Sequence, residues 1–319
     1  MIDELLDGAR AGDARSIARL ITRIENGGQQ ARAVLQGIGP WREQARIIGV
    51  TGAPGAGKST TLSALITAYR QRGDRVGVLA VDPSSPFTGG ALLGDRIRMQ
   101  QHATDPGVYI RSMASRGHLG GLASATGQAA EVLQAVGFDA VIIETVGVGQ
   151  SEVEIAAAAD TCVVLVAPGM GDAIQAAKAG ILEIGDVFAV NKADREGADA
   201  TARELRHMIE LGSRSGWKPP VVKTVASTGD GIDDLVAAVD QHGRWLASSG
   251  EQMQRRLRRV REQLTALVLG EVRGLLDLRK GEVDRLSGQV LEGGSDVFTA
   301  AEQLVAQMHI GNLGSTSGT

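Results

Sequence analysis

A glycine-rich segment that ends in a lysine and a serine combines the residue types that hold phosphate groups. It follows the pattern G-x-x-x-x-G-K-[S/T] and lies between an apolar run over residues 46–51 and a helical pattern over residues 60–70. In such a loop, backbone N–H groups surround the β-phosphate, the lysine reaches the β- and γ-phosphate oxygens, and the serine hydroxyl ligates Mg²⁺. A purely structural glycine turn is the alternative. The predicted nucleotide-binding residues are Gly52, Ala53, Pro54, Gly55, Ala56, Gly57, Lys58, Ser59 and Thr60, of which Lys58 is also predicted to be catalytic.

A second segment, from Asn191 to Asp194, has the residue types that distinguish guanine from adenine. It follows the apolar run 187–190, so it is expected at the carboxyl end of a strand. The Asp194 carboxylate is predicted to accept hydrogen bonds from guanine N1–H and the 2-amino group, while Asn191 and Lys192 shape the pocket. A site built on such bonds rejects an analogue that lacks them by roughly 10⁴-fold. A solvated polar loop is the alternative.

A third segment lies at the end of the apolar run that begins at Val221 and is predicted to complete the guanine pocket. Many GTPases direct a backbone N–H to guanine O6 from this place, and they have a serine where this chain has Val225. The change leaves the backbone contact intact but removes the local support that the serine provides. The residues predicted to contact the base are Val225, Ala226 and Ser227.

Three carboxylates lie at or after the ends of predicted strands, where they are expected near the phosphates. Glu144 follows the apolar run 140–143 and precedes Gly147, a spacing typical of the segment that contacts the metal and the γ-phosphate. Glu144 is predicted to bind Mg²⁺ through water or to orient the attacking water, and Gly147 to offer its N–H to the γ-phosphate. A turn or a helix cap is the alternative for Asp82 and Asp95, and a surface strand end for Glu144. The predicted metal ligands are Ser59, Asp82, Asp95 and Glu144, with GTP or GDP as the nucleotide.

The composition limits the partners that the chain is expected to have. A formal net charge of −4 and an aromatic content of 3% argue against a nucleic-acid platform and an anionic membrane surface. The basic stretch 254–261 is therefore predicted to be a solvated helix face rather than an RNA- or membrane-binding one. The single cysteine, Cys162, is predicted to be a buried thiol, and no basic leader or long apolar run is seen. We expect a soluble cytoplasmic protein.

The elements that must position these residues follow from the hydrophobic pattern. From residue 46 to about residue 244, short apolar runs alternate with helical patterns, which predicts an α/β fold with a mostly parallel sheet flanked by helices. Helical spacing also covers the chain before and after this part. The predicted domains are an N-terminal helical segment over 1–45, a P-loop GTPase domain over 46–244, a C-terminal helical dimerisation arm over 245–310 and a flexible tail over 311–319.

Three longer stretches are similar to the signature segments of the MeaB/ArgK family of GTPases. They are residues 82–99 (DPSSPFTGGALLGDRIRM), residues 111–123 (RSMASRGHLGGLA) and residues 144–152 (ETVGVGQSE). The resemblance extends over nearly the whole chain, from the N-terminal helical segment to the C-terminal arm. It adds expectations about reaction, partner and assembly to the chemistry read from the residues.

The resemblance implies a homodimeric P-loop GTPase of the class shared with signal-recognition-particle and nickel-insertion GTPases. It implies hydrolysis of GTP to GDP and phosphate, slow without a partner. Members of the family are chaperones of adenosylcobalamin-dependent acyl-CoA mutases, especially methylmalonyl-CoA mutase, and they gate cofactor loading and protect the mutase. The loop over 169–178 resembles an additional switch that signals to the mutase, with a plain helix cap as the alternative. The implied switch residues are Asp172, Gln175 and Lys178.

Other functions are weighed by the motifs that they require. Relatives have also been described as amino-acid transport kinases, so phosphate transfer to an acceptor is the alternative function. The sequence supplies no separate amino-acid site and lacks the His-Arg-Asp signature of protein kinases. His102 and His118 are predicted to be polar loop residues rather than metal ligands, which argues against nickel insertion. The arginines that could act in cis on the phosphates, each with structural pairing as its alternative, are Arg96, Arg98, Arg111 and Arg116.

Overall fold

Seven short apolar runs form the strands of one sheet in the computed structural model. The structure describes residues 2–39, 45–83, 99–115, 121–145, 158–170, 181–212 and 216–313. The strand order is β3-β2-β4-β1-β5-β6-β7, and every pairing is parallel, which confirms the predicted fold class. The strands are β1 (Arg46–Gly52), β2 (Val76–Pro83), β3 (Val108–Ser115), β4 (Ala140–Thr145), β5 (Thr161–Val166), β6 (Val187–Asn191) and β7 (Val221–Thr224).

Helices precede, connect and follow these strands. The described residues contain eleven α-helices and a short 3₁₀ turn at Gln100–His102. Three helices lie before the sheet, four lie between strands, and four follow β7. They are α1 (Ile2–Arg10), α2 (Ala14–Asn26), α3 (Gly28–Ile38), α4 (Lys58–Gln71), α5 (Gly121–Ala135), α6 (Ile181–Ile184), α7 (Ala198–Leu211), α8 (Ile232–Ser249), α9 (Glu251–Leu278), α10 (Lys280–Leu291) and α11 (Val297–Leu313).

Side chains of the central strands alternate between two apolar cores, one on each face of the sheet. Ile47 of β1 packs in a core with α1, α2, α3 and α5, whereas its neighbour Ile48 packs in a core with α4 and α8. In β4, Ile143 belongs to the first core and Ile142 to the second. Successive residues of a strand face opposite sides, so a strand covered on both sides must be apolar throughout. The continuous apolar runs in the sequence are explained by this double burial.

The first turns of α9 are attached to the amino edge of the sheet by two arginine side chains. Arg255 donates from Nη1 and Nη2 to the two carboxylate oxygens of Asp186 at 2.8 and 2.7 Å, and Arg259 donates to Asp160 at 2.8 Å. Asp186 also accepts the N–H of Cys162 at 2.9 Å, and its side chain is 4% exposed. A paired, charge-assisted hydrogen bond of this kind is both strong and directional. The contacts hold α9 to the residues that precede β5 and β6.

The chain divides into two compact units, residues 1–263 and residues 264–319. The first unit contains the sheet, α1 to α8 and the beginning of α9. The second contains the rest of α9 together with α10 and α11, and Leu286 of α10 is buried within it. Among the described residues, no helix has the length and apolar character needed to cross a membrane. The domain boundaries proposed at residues 45, 244 and 310 stay predictions.

Replacing Arg255 by methionine should lower the free energy of unfolding by about 3 kcal/mol. The substitution leaves the Asp186 carboxylate buried without its guanidinium partner, and an uncompensated buried charge costs several kcal/mol. Arg258→Met, on an exposed part of the same helix, is the matched control and should change stability by less than about 0.5 kcal/mol. Urea denaturation of the full chain measures both variants. Equal effects of the two substitutions would contradict the proposed anchoring role of Arg255.

Candidate nucleotide-binding site

The loop after β1 is shaped by glycines that allow close backbone approach. Gly52, the last residue of β1, has φ 144°, and a Cβ placed there would lie 2.2 Å from the carbonyl oxygen of Leu165 in the adjacent strand β5. Gly57, the residue before α4, has φ 95°. The Gly57 carbonyl oxygen accepts the N–H of Thr61 at 2.9 Å, which starts the helix. The loop therefore ends at a helix N-terminus, where backbone N–H groups favour an anion.

Lys58 lies folded over this loop. Its Nζ donates to the carbonyl oxygen of Gly52 at 2.8 Å and to that of Ala53 at 3.2 Å. The side chain is held on the concave side of the loop and the residue is only 9% exposed. An ammonium group in this position is a compact positive charge at the place where the loop and the helix N-terminus converge. The arrangement suits a polyanionic ligand.

A hydroxyl and a carboxylate meet beside Lys58. Ser59 Oγ donates to Glu144 Oε1 at 3.2 Å, and Glu144 is 4% exposed. The parallel pairing of β1 with β4, which aligns Val50 with Glu144, brings the two residues together. Hydroxyl and carboxylate oxygens are the ligands that Mg²⁺ prefers, so the donor set fits that ion. Within the described residues, no group of three histidine, cysteine or acidic side chains forms a metal cluster.

Asn191, the last residue of β6, connects the loop after β1 to the segments after β6 and β7. Its Nδ2 donates to the carbonyl oxygen of Ala56 at 2.9 Å. Its Oδ1 accepts the N–H of Ala226 at 3.1 Å and the hydroxyl of Thr224 at 3.3 Å. Asn191 is 2% exposed. A Cβ on Gly57 would lie 2.3 Å from Asn191 Nδ2, so the contact requires a glycine at position 57.

Lys192 and Asp194 follow in a tight turn. Lys192 has φ 57°, the only positive φ of a non-glycine residue in the described part of the chain, and its Nζ donates to the carbonyl oxygen of Gly55 at 2.6 Å. The turn is fixed by the N–H of Ala193, which donates to the carbonyl oxygen of Thr224 at 3.0 Å. Asp194 is exposed, and its carboxylate accepts no hydrogen bond from the described residues. The carboxylate therefore faces solvent beside the loop after β1.

A cleft of about 640 Å³ runs along α4. One end is lined by Ser59 and Thr60, and the other end includes Gln71. Residues 226–229 form part of one wall, so the segment predicted to contact the base borders the same cleft. The remaining lining residues are Ser63, Ala64, Thr67, Ala68, Gln101, Ile232 and Asp233.

Sequence reasoning missed a buried polar contact in the wall of this cleft. His102 was expected to be a polar loop residue; it lies in the 3₁₀ turn, but it is 8% exposed and its Nε2 is 2.9 Å from Ser63 Oγ. Burial lowers the pKa of His102. The sequence carried no signal for this contact, because 39 positions separate the two residues. The contact fastens the chain before β3 to α4.

Several predicted site residues lie partly or wholly outside the described residues, and one of the candidate arginines is paired elsewhere. Asp82 is in β2 next to the end of β4, but its side chain lies outside the described residues. Of the arginines that could act in cis, Arg111 pairs with Glu25 of α2 at 2.5 Å, which is the structural alternative considered for it. The predicted residues that lie wholly outside the described part are Asp95, Gly147, Asp172, Gln175 and Lys178, together with Arg96, Arg98, Arg116 and His118.

Comparison with known proteins identifies relatives along nearly the whole chain. The family model for the methylmalonyl-CoA mutase-associated GTPase MeaB matches residues 17–278. A Pyrococcus abyssi protein that is a GTPase by name is 48% identical over 319 residues, which cover 98% of each chain. The Escherichia coli GTPase ArgK is 38% identical over 264 residues, covering 80% of this chain and 78% of the relative. The crystal structure of an LAO/AO transport system kinase covers 97% of both chains with a TM-score of 0.70 and 27% identity.

Replacing Asn191 by alanine should lower the free energy of unfolding by about 2–4 kcal/mol. The substitution removes three hydrogen bonds and leaves the buried N–H of Ala226 without its acceptor, and each such loss costs about 1–3 kcal/mol. Thr224→Val is the matched control, since it removes one of the three bonds and keeps the side-chain shape; about 1 kcal/mol is expected. Chemical denaturation measures both. An Asn191→Ala variant as stable as Thr224→Val would contradict a connecting role for the amide.

Proposed function

The chain belongs to the MeaB family of methylmalonyl-CoA mutase-associated GTPases, and on that premise we propose that it is a GTP-hydrolysing chaperone of an adenosylcobalamin-dependent acyl-CoA mutase. It gates cofactor loading of the mutase and protects it, with methylmalonyl-CoA mutase as the expected partner. One observation carries the nucleotide part of this proposal. The Asn191 amide contacts both the loop proposed to hold the phosphates (residues 52–60, the phosphate-type loop), at Ala56, and the segment proposed to contact the base (residues 225–227, the base-type turn), at Ala226. The mutase part follows from the family.

The proposed nucleotide is GTP or GDP, held at both ends. The phosphates lie along the loop from Gly52 to Thr60, with the Lys58 ammonium directed to the β- and γ-oxygens. Guanine lies between the segment 191–194 and the segment 225–227, and Asp194 accepts from N1–H and the 2-amino group. The exposed position of Asp194 supports this assignment, because its carboxylate oxygens are accessible to a ligand.

Mg²⁺ is the proposed metal, and Ser59 and Glu144 would hold it through their oxygen atoms, Glu144 through a bridging water or directly. When bound, the ion supplies positive charge that neutralises the charge developing on the phosphate oxygens. The 3.2 Å contact between Ser59 Oγ and Glu144 Oε1 supports a common ligand for the two groups. Asp82 and Asp95 remain proposed ligands on the basis of sequence. The proposed γ-phosphate contact of the Gly147 N–H also rests on sequence.

The proposed reaction is attack of water on the γ-phosphate in line with the departing GDP. Lys58 and the backbone N–H groups of the loop hold the charge that spreads over the transferred phosphoryl group. Glu144 orients the attacking water, or would hold the metal ion through water. Without an ordered arginine in cis or one from a partner, hydrolysis at such sites proceeds on the order of 10⁻⁴ to 10⁻² per second. The pairing of Arg111 with Glu25 supports a slow basal rate, because that arginine is engaged elsewhere.

A second copy of the chain is the proposed partner of α9 in a homodimer. Beyond residue 263, several aliphatic side chains of α9 are exposed: Leu264 is 57% exposed, Leu267 50% and Val268 60%. Positions three and four apart lie on one side of a helix, so these side chains share a face. A contiguous apolar face of this kind is typical of a helix that packs against another chain.

Replacing Lys58 by alanine should slow GTP hydrolysis by about a hundredfold or more, since the lysine is proposed to stabilise the transferred phosphoryl group. Lys218→Ala, at an exposed position outside the cleft, is the control and should hydrolyse GTP at the parental rate. The measurement follows ³²P from γ-labelled GTP. All label should appear as free phosphate. Label on an amino acid or on a protein acceptor would support the kinase alternative, and a parental rate for Lys58→Ala would contradict the mechanism.

Affinity for the mutase should depend on which nucleotide is bound. We expect a difference of about 5- to 150-fold in dissociation constant between the GDP complex and the complex with a non-hydrolysable GTP analogue, the usual range for coupled sites. Biolayer interferometry with immobilised methylmalonyl-CoA mutase measures it. Lys58→Ala should narrow the difference, because Lys58 is proposed to reach the γ-phosphate. Equal affinities for the parental protein would contradict the switch, and absence of binding would contradict the partner while leaving hydrolysis intact.

A further inference from the structure

The turn between β7 and α8 is closed by a dense set of backbone hydrogen bonds. The N–H of Val225 donates to the carbonyl oxygen of Asp230 at 2.9 Å. The carbonyl oxygen of Val225 in turn accepts the N–H of Thr228 at 3.1 Å and that of Gly229 at 2.9 Å. Val225 and Asp230 form an isolated antiparallel bridge. The residues predicted to contact guanine therefore lie in a closed loop rather than in an open connection.

A side-chain contact joins the two halves of this loop. Thr228 Oγ1 is 2.7 Å from Asp230 Oδ2 and 3.1 Å from the carbonyl oxygen of Val225. A hydroxyl has one proton, and it donates most strongly to an ionised acceptor, so the carboxylate is the favoured partner. Because the N–H of Thr228 donates to the Val225 carbonyl oxygen while its hydroxyl donates to Asp230, Thr228 links Asp230 to the beginning of the turn. Val225, at the beginning of the turn, occupies the position where many GTPases have a serine.

Gly231 allows the chain to turn back on the end of β7. It has φ 74°, and a Cβ placed on it would lie 2.1 Å from the carbonyl oxygen of Lys223. Its own carbonyl oxygen accepts the N–H of Leu235 at 3.0 Å, at the start of α8. Gly229 also has a positive φ, 89°, but a Cβ there would meet nothing within 4 Å. The close approach at Gly231 fixes the end of the turn against β7.

The other end of the turn is fixed by Asn191. The N–H of Ala226 donates to Asn191 Oδ1 at 3.1 Å, and Ala226 is 8% exposed, whereas Ser227 next to it is exposed to the cleft. The backbone of residues 226 and 227 is thus held between a buried amide on one side and the contact of Thr228 with Asp230 on the other. Only the second of these contacts lies within the turn itself.

We propose that Thr228 and Asp230 are positioning residues for guanine recognition, because their contact orients the backbone N–H group of Ser227 toward the O6 atom of the base, while the N–H of Ala226 is held by Asn191. The pair supplies the local support that Val225 cannot give. This inference rests on the proposed guanine site and adds a specificity determinant to it.

Two affinity ratios measured on the full chain separate this role from a general structural one. Preference for GDP over 6-thio-GDP reports the contact with O6, because sulfur is the weaker hydrogen-bond acceptor. Preference for GDP over IDP reports the contact with the 2-amino group, which IDP lacks. Thr228→Val should lower the first ratio by about threefold to tenfold, the range of one neutral hydrogen bond, and leave the second unchanged. Isothermal titration calorimetry measures all three nucleotides.

The matched variant is Asp194→Asn, which should lower the ratio of GDP to IDP instead, because Asp194 is assigned to the 2-amino group. Thr228→Ser keeps the hydroxyl and should restore the parental ratios. Asp230→Asn keeps the size of the side chain and weakens the acceptor, so it should also lower the preference for GDP over 6-thio-GDP. This variant tests the proposal if Thr228→Val folds poorly. A uniform loss of affinity for all three nucleotides, with both ratios unchanged, would overturn the proposal. A parental protein that fails to bind GDP would instead overturn the guanine site itself.

Discussion

Strand β1 is hydrogen-bonded on both sides and buried on both faces, and this constraint positions the loop after β1 and Glu144 within the proposed site. Its pairing with β4 aligns Val50 with Glu144, and its pairing with β5 aligns Gly52 with Leu165. The carboxyl ends of the strands consequently meet at one edge, where loops from different parts of the chain converge. The close approach of Gly52 to the Leu165 carbonyl leaves no room for a side chain at that point. The backbone geometry at Gly52 thus fixes the path of the loop after β1.

The Asn191 amide then joins the loop after β1 to the turn after β7, which the sheet brings close to each other. It is hydrogen-bonded to the loop after β1 and to the turn after β7, and it is buried. A buried amide that uses both its donor and its acceptor is sensitive to displacement of either neighbour, because a shift leaves a polar group unpaired. Movement of the phosphate-type loop and movement of the base-type turn are therefore energetically linked. Through such a linkage, binding of a ligand's phosphates at one loop can change the conformation of the turn that contacts its base.

The sequence predicted the local elements well and the long-range contacts poorly. Continuous apolar runs such as Ala140–Ile143 identified the buried strands, because a strand covered on both faces has no polar side. The phosphate-type loop carries its own spacing. By contrast, the burial of His102 depends on Ser63, and the pairing of Arg255 depends on Asp186. No local sequence pattern predicts either contact. Helix α10 was not predicted as an element separate from the rest of the helical arm over 245–310. The Thr228 contact is different, because threonine, glycine and aspartate in succession are typical turn residues and residues 228–231 therefore carry a local signal for this turn.

The contacts at the amino edge of the sheet bear on how short a functional chain can be. Asp160 and Asp186 belong to the connections that enter β5 and β6, yet the arginines that compensate their charges are Arg259 and Arg255, in a helix that begins after the sheet is complete. A truncated chain ending at residue 244 would contain all seven described strands and the proposed nucleotide ligands, but the Asp160 and Asp186 carboxylates at the amino edge of the sheet would lose their arginine partners. Retaining the chain through residue 259 keeps both pairs. The compact unit that contains the sheet therefore extends past the last described strand and includes the two arginines that compensate these charges.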